Sequence, residues 1–429
     1  LCIRDSPLPA LMGGVSLSVL VSLGALAHQH LRTDALEERL LREVNILTQA
    51  EHPRPVHVTP SRPGSFGDAM APLLPALLQQ AREAPALTDA EAETLEAVLE
   101  GHAPVTDLPA SRRDALERGR PLMRQVLAAT HAESGGLPED LRPLSGPEVS
   151  RRDALLQALR RVVEDAALET RLLVSRGDSD LAVDTCVDTL ALSRELALGG
   201  GLVGQRLSAA GYARAWRACA DALDSASLTR KRQAISQLTR LHEGIPPVSL
   251  TLHEESVAAQ LHAFRDLLTD EGRAALPPTW FDAPGQPRAL RRRLQWRQWV
   301  EDADRLIAVA DQPPEERRRA LTALEARNAG AYFRQAEAPS VRLSSEDQEA
   351  LDLRALRSES LIALAEVDVA RAQGGQWPRA LPTRTTSLVL ERVDESEAQI
   401  RSCVQGLMPE PIVVKADGAP LLQQVHDVP

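Results

Sequence analysis

Residues 181–223, LAVDTCVDTLALSRELALGGGLVGQRLSAAGYARAWRACADAL, decide the fold. Apolar residues recur at helical spacing on both sides of a three-glycine break, and the second half also carries a face of glycine and alanine. Small side chains let two helices approach closely, and a short break between helices implies antiparallel neighbours. The stretch therefore predicts a helical hairpin formed by residues 181–198 and 202–223.

Helical patterns continue on both sides of this hairpin. On the C-terminal side, Pro246-Pro247 separates two further segments. Toward the N-terminus, Thr88 and Glu91 form a capping-box pattern, as do Ser150 with Asp153 and Thr251 with Glu254. The predicted helices are 69–82, interrupted at Pro72 and Pro75; 88–100; 110–131, split at Gly119 and Pro121; 150–176; 229–241; and 251–268.

The whole pattern indicates a mainly α protein, an irregular array of helical hairpins over residues 69–373. Aromatic residues make up only 3% of the chain, so leucine, alanine and valine must fill the core. Such side chains suit helix packing better than a twisted sheet. Residues 374–429 form a different, C-terminal tail, in which the β-branched runs 387–393 and 411–415 predict short strands in a small α+β or loosely ordered appendage.

Residues 8–27, LPALMGGVSLSVLVSLGALA, contain no charge over 20 positions. At about 1.5 Å per residue such a helix just spans a hydrocarbon core of about 30 Å. It is either a transmembrane anchor or a signal peptide cleaved near Ala27. Residues 28–50 predict an amphipathic juxtamembrane helix, which favours the anchor, and the proline-rich residues 51–68 predict a linker. The expected partner of residues 8–27 is the membrane.

Residues 1–6, LCIRDS, resemble a translated sequencing adapter. The flanking charges that would fix the orientation of residues 8–27 are then expected to be missing. The expected location is a bacterial inner membrane, crossed once, with the bulk of the chain in the periplasm. The alternative is a secreted or periplasmic protein released by cleavage near Ala27.

Composition and charge argue against a nucleic-acid partner. The net charge is −11, whereas binding to phosphates needs a basic face. The one dense basic run, residues 291–293 with Arg297, lies beside Trp296 and Trp299. This run predicts a helix with a solvated arginine face and a buried tryptophan face.

No sequence motif supplies a catalytic residue, a cofactor site or a metal ligand set. The His-Glu pairs at His242 and His253 lack the second histidine four residues later that a zinc protease helix needs. Glu254, Glu255 and His262 lie near His253 in a cluster interpreted as a solvated face. The letters Arg-Gly-Asp at 176–178 and the glycines at 199–201 are interpreted as turns between helices.

Cys186 and Cys219 lie on the apolar faces of successive predicted helices, and no Cys-x-x-Cys pair is present. They are interpreted as small buried side chains. A disulfide between them is the alternative if this part of the chain lies outside the cytoplasm.

The order of these features resembles a group of membrane-anchored helical envelope proteins of myxobacteria and planctomycetes. The resemblance rests on the membrane segment and on short landmarks at residues 62–74, 175–204 and 374–382. In addition, residues 171–182, RLLVSRGDSDLA, resemble the turn of a tetratricopeptide-type hairpin. The resemblance implies an address at the envelope and no particular reaction.

Two functions are therefore expected. The first is a membrane-anchored helical envelope protein with a protein-interaction or scaffold role. The alternative is an envelope hydrolase whose site is assembled from distant residues, with His253 and Glu254 lining its groove.

Overall fold

The computed structural model describes residues 35–49, 54–84, 86–145, 148–264, 288–329, 343–374, 376–381, 387–403 and 412–415. The expectations for residues 1–6 and 8–27 lie outside these ranges. Among the described helices, none is long and apolar enough to cross a bilayer.

The described chain is mainly helical, with two small sheets. It divides into a larger unit, residues 51–251 and 342–429, and a smaller unit, residues 1–50 and 252–341. The predicted mainly α class is confirmed, and the small sheet at the C-terminal end agrees with the expected α+β appendage.

The larger unit is built on a succession of helices. They are α2 (Phe66–Met70), α3 (Leu74–Glu83), α4 (Asp89–Glu100), α5 (Ala110–Ala129), α6 (Val149–Ser175), α7 (Ser179–Ala197), α8 (Gly201–Ser225), α9 (Leu228–Glu243), the first residues of α10 (Val248–Ala263), and α13 (Ser345–Gly374). Short 3-10 turns lie at Ala71–Leu73, Val105–Asp107, Glu139–Leu141 and Pro143–Ser145.

The predicted hairpin is α7 and α8, and glycine makes its close contact possible. A Cβ on Gly204 would lie 2.2 Å from the carbonyl oxygen of Leu196, and one on Gly211 would lie 2.4 Å from Oγ of Ser193. The helices are also joined by a disulfide between Cys186 and Cys219, both 1% exposed. The cysteines are therefore buried as predicted, and they are paired.

Two large apolar clusters hold the larger unit together. One joins α7, α8, α9 and α13 to the C-terminal sheet, through residues such as Leu190, Tyr212 and Leu361. The other joins α2, α3, α5 and α6 to the end of α7, with Phe66 and Leu159 fully buried. Leucine and alanine dominate both clusters, as the composition indicates.

The larger unit contains both sheets of the described chain. β1 (Arg62–Ser65) pairs in parallel with β2 (Ala132–Ser134), with Arg62 opposite Ala132. β3 (Leu388–Arg392), β4 (Glu397–Ser402) and β5 (Ile412–Lys415) form an antiparallel sheet in that order. β3 and β5 confirm the two predicted strands, and β4 was not predicted.

The smaller unit contains α1 (residues 35–49), the part of α10 from Leu252 onward, α11 (Arg288–Val309) and α12 (Pro314–Ala329). Arg39 binds Asp304 through two hydrogen bonds of 2.7 and 2.8 Å. Trp296 and Trp299 are 0% and 6% exposed, which confirms the predicted buried tryptophan face of α11. Trp296 donates to Oε1 of Gln260 at 3.0 Å and stacks on Phe264.

Several helix boundaries differ from prediction. α5 continues through Pro121, because Met123 and Val126 extend the buried face beyond it. Of the capping boxes, only Thr88 with Glu91 forms. α6 begins at Val149 rather than after Ser150, and α10 begins directly after Pro247.

Candidate metal centre

Three side chains from distant parts of the chain converge in the larger unit, and we call them the metal centre: His57, His131 and Asp188. Their ligand atoms lie within 4.8 Å of one another. Nε2 of His57 and Nε2 of His131 are each 2.9 Å from the same Oδ1 of Asp188. The two imidazole rings meet edge to face, with their centres 5.4 Å apart.

Asp188 belongs to an acidic stripe on α7. Asp184, Asp188 and Glu195 are four and seven residues apart, a spacing that places them on one side of a helix. Each contacts a different segment: Asp184 binds Arg230 of α9 at 2.6 Å, Asp188 binds the two histidines, and Glu195 binds Arg54 at 2.8 Å. The helix therefore gathers surrounding segments through one row of carboxylates.

His131 lies where α5 ends and β2 begins. Its carbonyl accepts a hydrogen bond of 2.9 Å from the amide of Arg62, which joins it to the β1–β2 ladder. The preceding Thr130 is fully buried, and its hydroxyl donates a hydrogen bond of 2.6 Å to the carbonyl oxygen of Leu127. The amide of His131 also donates to the carbonyl of Ala128 at 3.3 Å, so both backbone groups of His131 are hydrogen-bonded.

His57 lies in residues 54–60, which we call the strap. The strap is held on α7 and α9 through its backbone as well as its side chains. The carbonyl of Pro55 accepts from Arg194 of α7 at 3.2 Å, and that of Val56 accepts from Arg240 of α9 at 3.2 Å. Within the proline-rich segment 51–68, the strap therefore packs on α7 and α9 of the same unit.

Burial differs among the three side chains of the metal centre. His57 is 1% exposed, whereas the side chains of His131 and Asp188 keep 24% and 20% of their surface. Nδ1 of His57 is buried without a hydrogen-bond partner among the described residues. The hydrogen bond of this ring to Asp188 is therefore made by Nε2.

A buried cluster of three charged side chains, Arg54, Arg194 and Glu195, lies next to the metal centre. Glu195 lies between Arg54 and Arg194, with its Oε1 2.8 Å from each guanidinium, and all three side chains are at most 3% exposed. Burial lowers the pKa of Arg54 to about 10, although Glu195 opposes this shift. A Cβ on Gly135 would lie 2.9 Å from Oε2 of Glu195, so a glycine is needed where β2 leaves the cluster.

The pKa values of His57 and Asp188 in the metal centre are both lowered. Burial lowers the pKa of His57 and outweighs the hydrogen bond to Asp188, and nearby Arg194 acts in the same direction as burial. For Asp188, burial alone would raise the pKa, but the hydrogen bonds from His131 and His57 prevail and lower it. A neutral buried imidazole beside a carboxylate anion is the protonation state that metal binding requires.

Two imidazole nitrogens and one carboxylate oxygen form a donor set typical of zinc and related divalent ions. At bond lengths of about 2.0–2.1 Å, tetrahedral geometry places ligand atoms about 3.3 Å apart. The two observed histidine–aspartate separations of 2.9 Å are within half an ångström of that value. The three residues fit a single ion once side-chain movements bring all three ligand atoms, which lie within 4.8 Å of one another, to this spacing.

None of these three residues is predicted as a site residue from the sequence. They are 74 and 57 positions apart along the chain, so no local spacing could reveal them. The cluster that the sequence did indicate, His253 with Glu254, Glu255 and His262, lies in the smaller unit. There His253 faces Glu43, with Nε2 and Oε2 3.3 Å apart, and Glu254 is only 3% exposed. The interpretation of Glu254 as part of a solvated face is therefore wrong.

The Arg-Gly-Asp letters at 176–178 and the glycines at 199–201 form turns between helices, as predicted. Gly177 has a left-handed φ of 84° at the end of α6, and Asp178 occupies the N-cap position of α7 without a side-chain capping hydrogen bond. Gly199 and Gly201 have φ values of 79° and 62° between α7 and α8.

No protein-family model matches the chain, and neither a curated protein nor a solved structure is detectably similar to it. The geometry of the metal centre is thus the main guide to function.

Proposed function

We propose that this chain binds one divalent transition-metal ion of the zinc class through His57, His131 and Asp188. The observation that carries the proposal is the convergence of three ligand atoms within 4.8 Å, two of them on one carboxylate oxygen. Because the ligands come from the strap, the start of β2 and α7, the bound ion joins three segments that are distant in sequence. Metal binding of this kind stabilises the folded state.

The first test is a metal titration of the full-length chain in detergent after treatment with EDTA. We expect one equivalent of Zn²⁺ to bind, and Co²⁺ to give the visible absorption of a low-coordinate site. His131→Ala and Asp188→Asn alter side chains that keep 24% and 20% of their surface exposed, and circular dichroism should show that both variants fold. Each should weaken binding at least about 100-fold, more than loss of an outer-shell partner costs.

The matched control is His262→Ala, which removes an exposed histidine of α10 in the smaller unit. It should bind Zn²⁺ like the unaltered chain. Absence of stoichiometric binding, or equal binding by Asp188→Asn, would show that the three residues form only a hydrogen-bonded cluster.

The protein that carries this centre is proposed to be a membrane-anchored envelope protein with a scaffold role, held by residues 8–27 and with its larger unit in an oxidising compartment. The buried Cys186–Cys219 disulfide supports that compartment, since reducing cytosol disfavours such bonds. A tandem of packed helices without a catalytic motif supports the role in protein interaction. A pull-down from native membranes that recovers no stable partner would count against this role.

A metal-dependent hydrolase is the second candidate. Three protein ligands leave a position for water or substrate on zinc, and His131 and Asp188 keep part of their surface exposed. Zinc-loaded protein would then cleave a generic peptide, glycan or phosphate ester, and Asp188→Asn would abolish the activity. Failure of all three substrates would leave the scaffold role as the function of the metal-bound protein.

A further inference from the structure

A separate cavity of about 290 Å³ opens between α3, α5 and α6 in the larger unit. Its volume lies at the lower end of the range of small-molecule pockets, about 300–1,000 Å³. It shares no lining residue with the metal centre. We call it the α3–α5–α6 pocket.

One side of the α3–α5–α6 pocket is apolar. Leu77 of α3 and Val162 of α6 are 2% and 3% exposed, and the half-buried Leu122 of α5 adjoins them. Gly119 allows the side chain of Gln80 to cross the face of α5, since a Cβ there would lie 2.3 Å from Nε2 of Gln80. The pocket thus combines an apolar wall with an amide group.

The rim of the pocket carries a net positive charge, from two arginines against the exposed carboxylate of Glu83, which accepts a hydrogen bond from Gln79 at 2.9 Å. Arg118 and Arg161 both line it and are exposed, and neither forms an ion pair with a carboxylate of the described chain. Arg161 donates instead to the carbonyl of Ala81 at 2.7 Å, at the end of α3. Two guanidinium groups are therefore available to an anion at the rim.

The base of the pocket carries a balanced charge. Asp165 and Arg112 form an ion pair there, and both side chains are largely buried. Burial raises the pKa of Asp165 to about 6, although Arg112 opposes the shift. The carboxylate of Asp165 already pairs with Arg112. An anionic ligand group would therefore bind at the rim of the pocket rather than at its base.

We infer that the α3–α5–α6 pocket binds a small amphiphilic carboxylate, with its anionic head on Arg118 and Arg161 and its short apolar body against Leu77 and Val162. An apolar pocket with a few converging polar groups is the usual form of a small-ligand site. The pocket's small volume excludes long chains.

The test uses the full-length chain in lipid nanodiscs, with hexanoate as the probe and hexanamide as the neutral analogue of equal length. Empty nanodiscs correct for partition into lipid. Calorimetry should show saturable binding of hexanoate, and hexanamide should bind at least about tenfold more weakly, since it lacks the charge that the rim recognises.

Arg118→Gln should weaken hexanoate binding about tenfold. Arg124→Gln alters an exposed arginine of the same helix outside the pocket, and it should bind as the unaltered chain does. Ala115→Phe, which places a ring in the cavity, should abolish binding. Equal affinity for hexanamide, an unchanged affinity in Arg118→Gln, or absence of saturable binding would overturn the proposal.

Discussion

At the scale of single residues, the metal centre is set up by opposing effects on its titratable groups. Burial keeps the His57 imidazole neutral and lowers its pKa, while two hydrogen bonds keep Asp188 ionised despite its burial. Asp188 therefore offers lone pairs at neutral pH, and the neutral His57 ring can bind an ion through Nε2 once its proton moves from Nε2 to Nδ1.

The shift at His57 predicts the pH dependence of stability in the metal-free protein. Its pKa is lowered in the folded state, so only the unfolded chain readily takes up a proton as the pH falls below about 6.5. The free energy of unfolding should then fall toward acid, by at most about 1.4 kcal/mol per pH unit from this group. His57→Gln should lack that part of the slope in urea unfolding with EDTA, measured at pH 7.5 and 5.5.

His102→Gln is the control for this experiment, because His102 is a partly exposed histidine away from the metal centre. The slope of His57→Gln should differ from that of the unaltered chain by more than the slope of His102→Gln does. Identical slopes for His57→Gln and the unaltered chain would show that His57 is not held neutral by burial.

The sequence could not have revealed the metal centre at this scale. His57 lies in a proline-rich segment, His131 follows a helix and Asp188 is one of several acids on α7. Only the packing of the strap and β2 on α7 makes them neighbours. The cysteines differ, since their apolar helix faces did predict burial, and a pairing was the stated alternative.

At the scale of elements, prediction succeeded where each helix carries its own signals. α7, α8 and α9 lie within about two residues of their predicted bounds, because each has an apolar face, α7 and α9 end just before a glycine, and α8 begins at the last residue of the three-glycine break. β4 was missed because only Ala398 and Ile400 are buried among polar residues. The Thr251 capping box failed since α10 starts at Val248, and the hydroxyl of Thr251 accepts from Gln205 at 2.6 Å instead.

The hairpin of α7 and α8 depends on its disulfide for part of its stability. Cys186 and Cys219 are separated by 33 positions. A cross-link over such a loop restricts the unfolded chain by about 3–4 kcal/mol. The double variant Cys186→Ala with Cys219→Ala should lose about that much free energy of unfolding in urea.

Mass spectrometry after thiol alkylation supplies the complementary measurement. Protein from its native compartment should resist alkylation at Cys186 and Cys219 until it is reduced and unfolded. A loss below about 1 kcal/mol in the double variant, or alkylation of both residues without reduction, would contradict the disulfide and the proposed oxidising compartment.

At the scale of the whole molecule, the acidic stripe of α7 organises the larger unit. Its carboxylates bind three parts of this unit: Asp184 binds α9, Asp188 binds the histidines of the metal centre, and Glu195 binds the strap. The mainly α architecture followed from composition and periodicity. The attachment of the strap to α7 and α9 could not be predicted in the same way. The prolines of residues 51–68 predict an extended segment, and they do not indicate whether that segment packs on a helix.

The measurement that tests the central claim most directly is anomalous diffraction from crystals of the full-length chain grown with Zn²⁺. Data on both sides of the zinc absorption edge should give one peak about 2.0–2.2 Å from Nε2 of His57, Nε2 of His131 and a carboxylate oxygen of Asp188. A map with no peak there, and with both histidines still hydrogen-bonded to Asp188, would contradict the claim that these residues form a metal site.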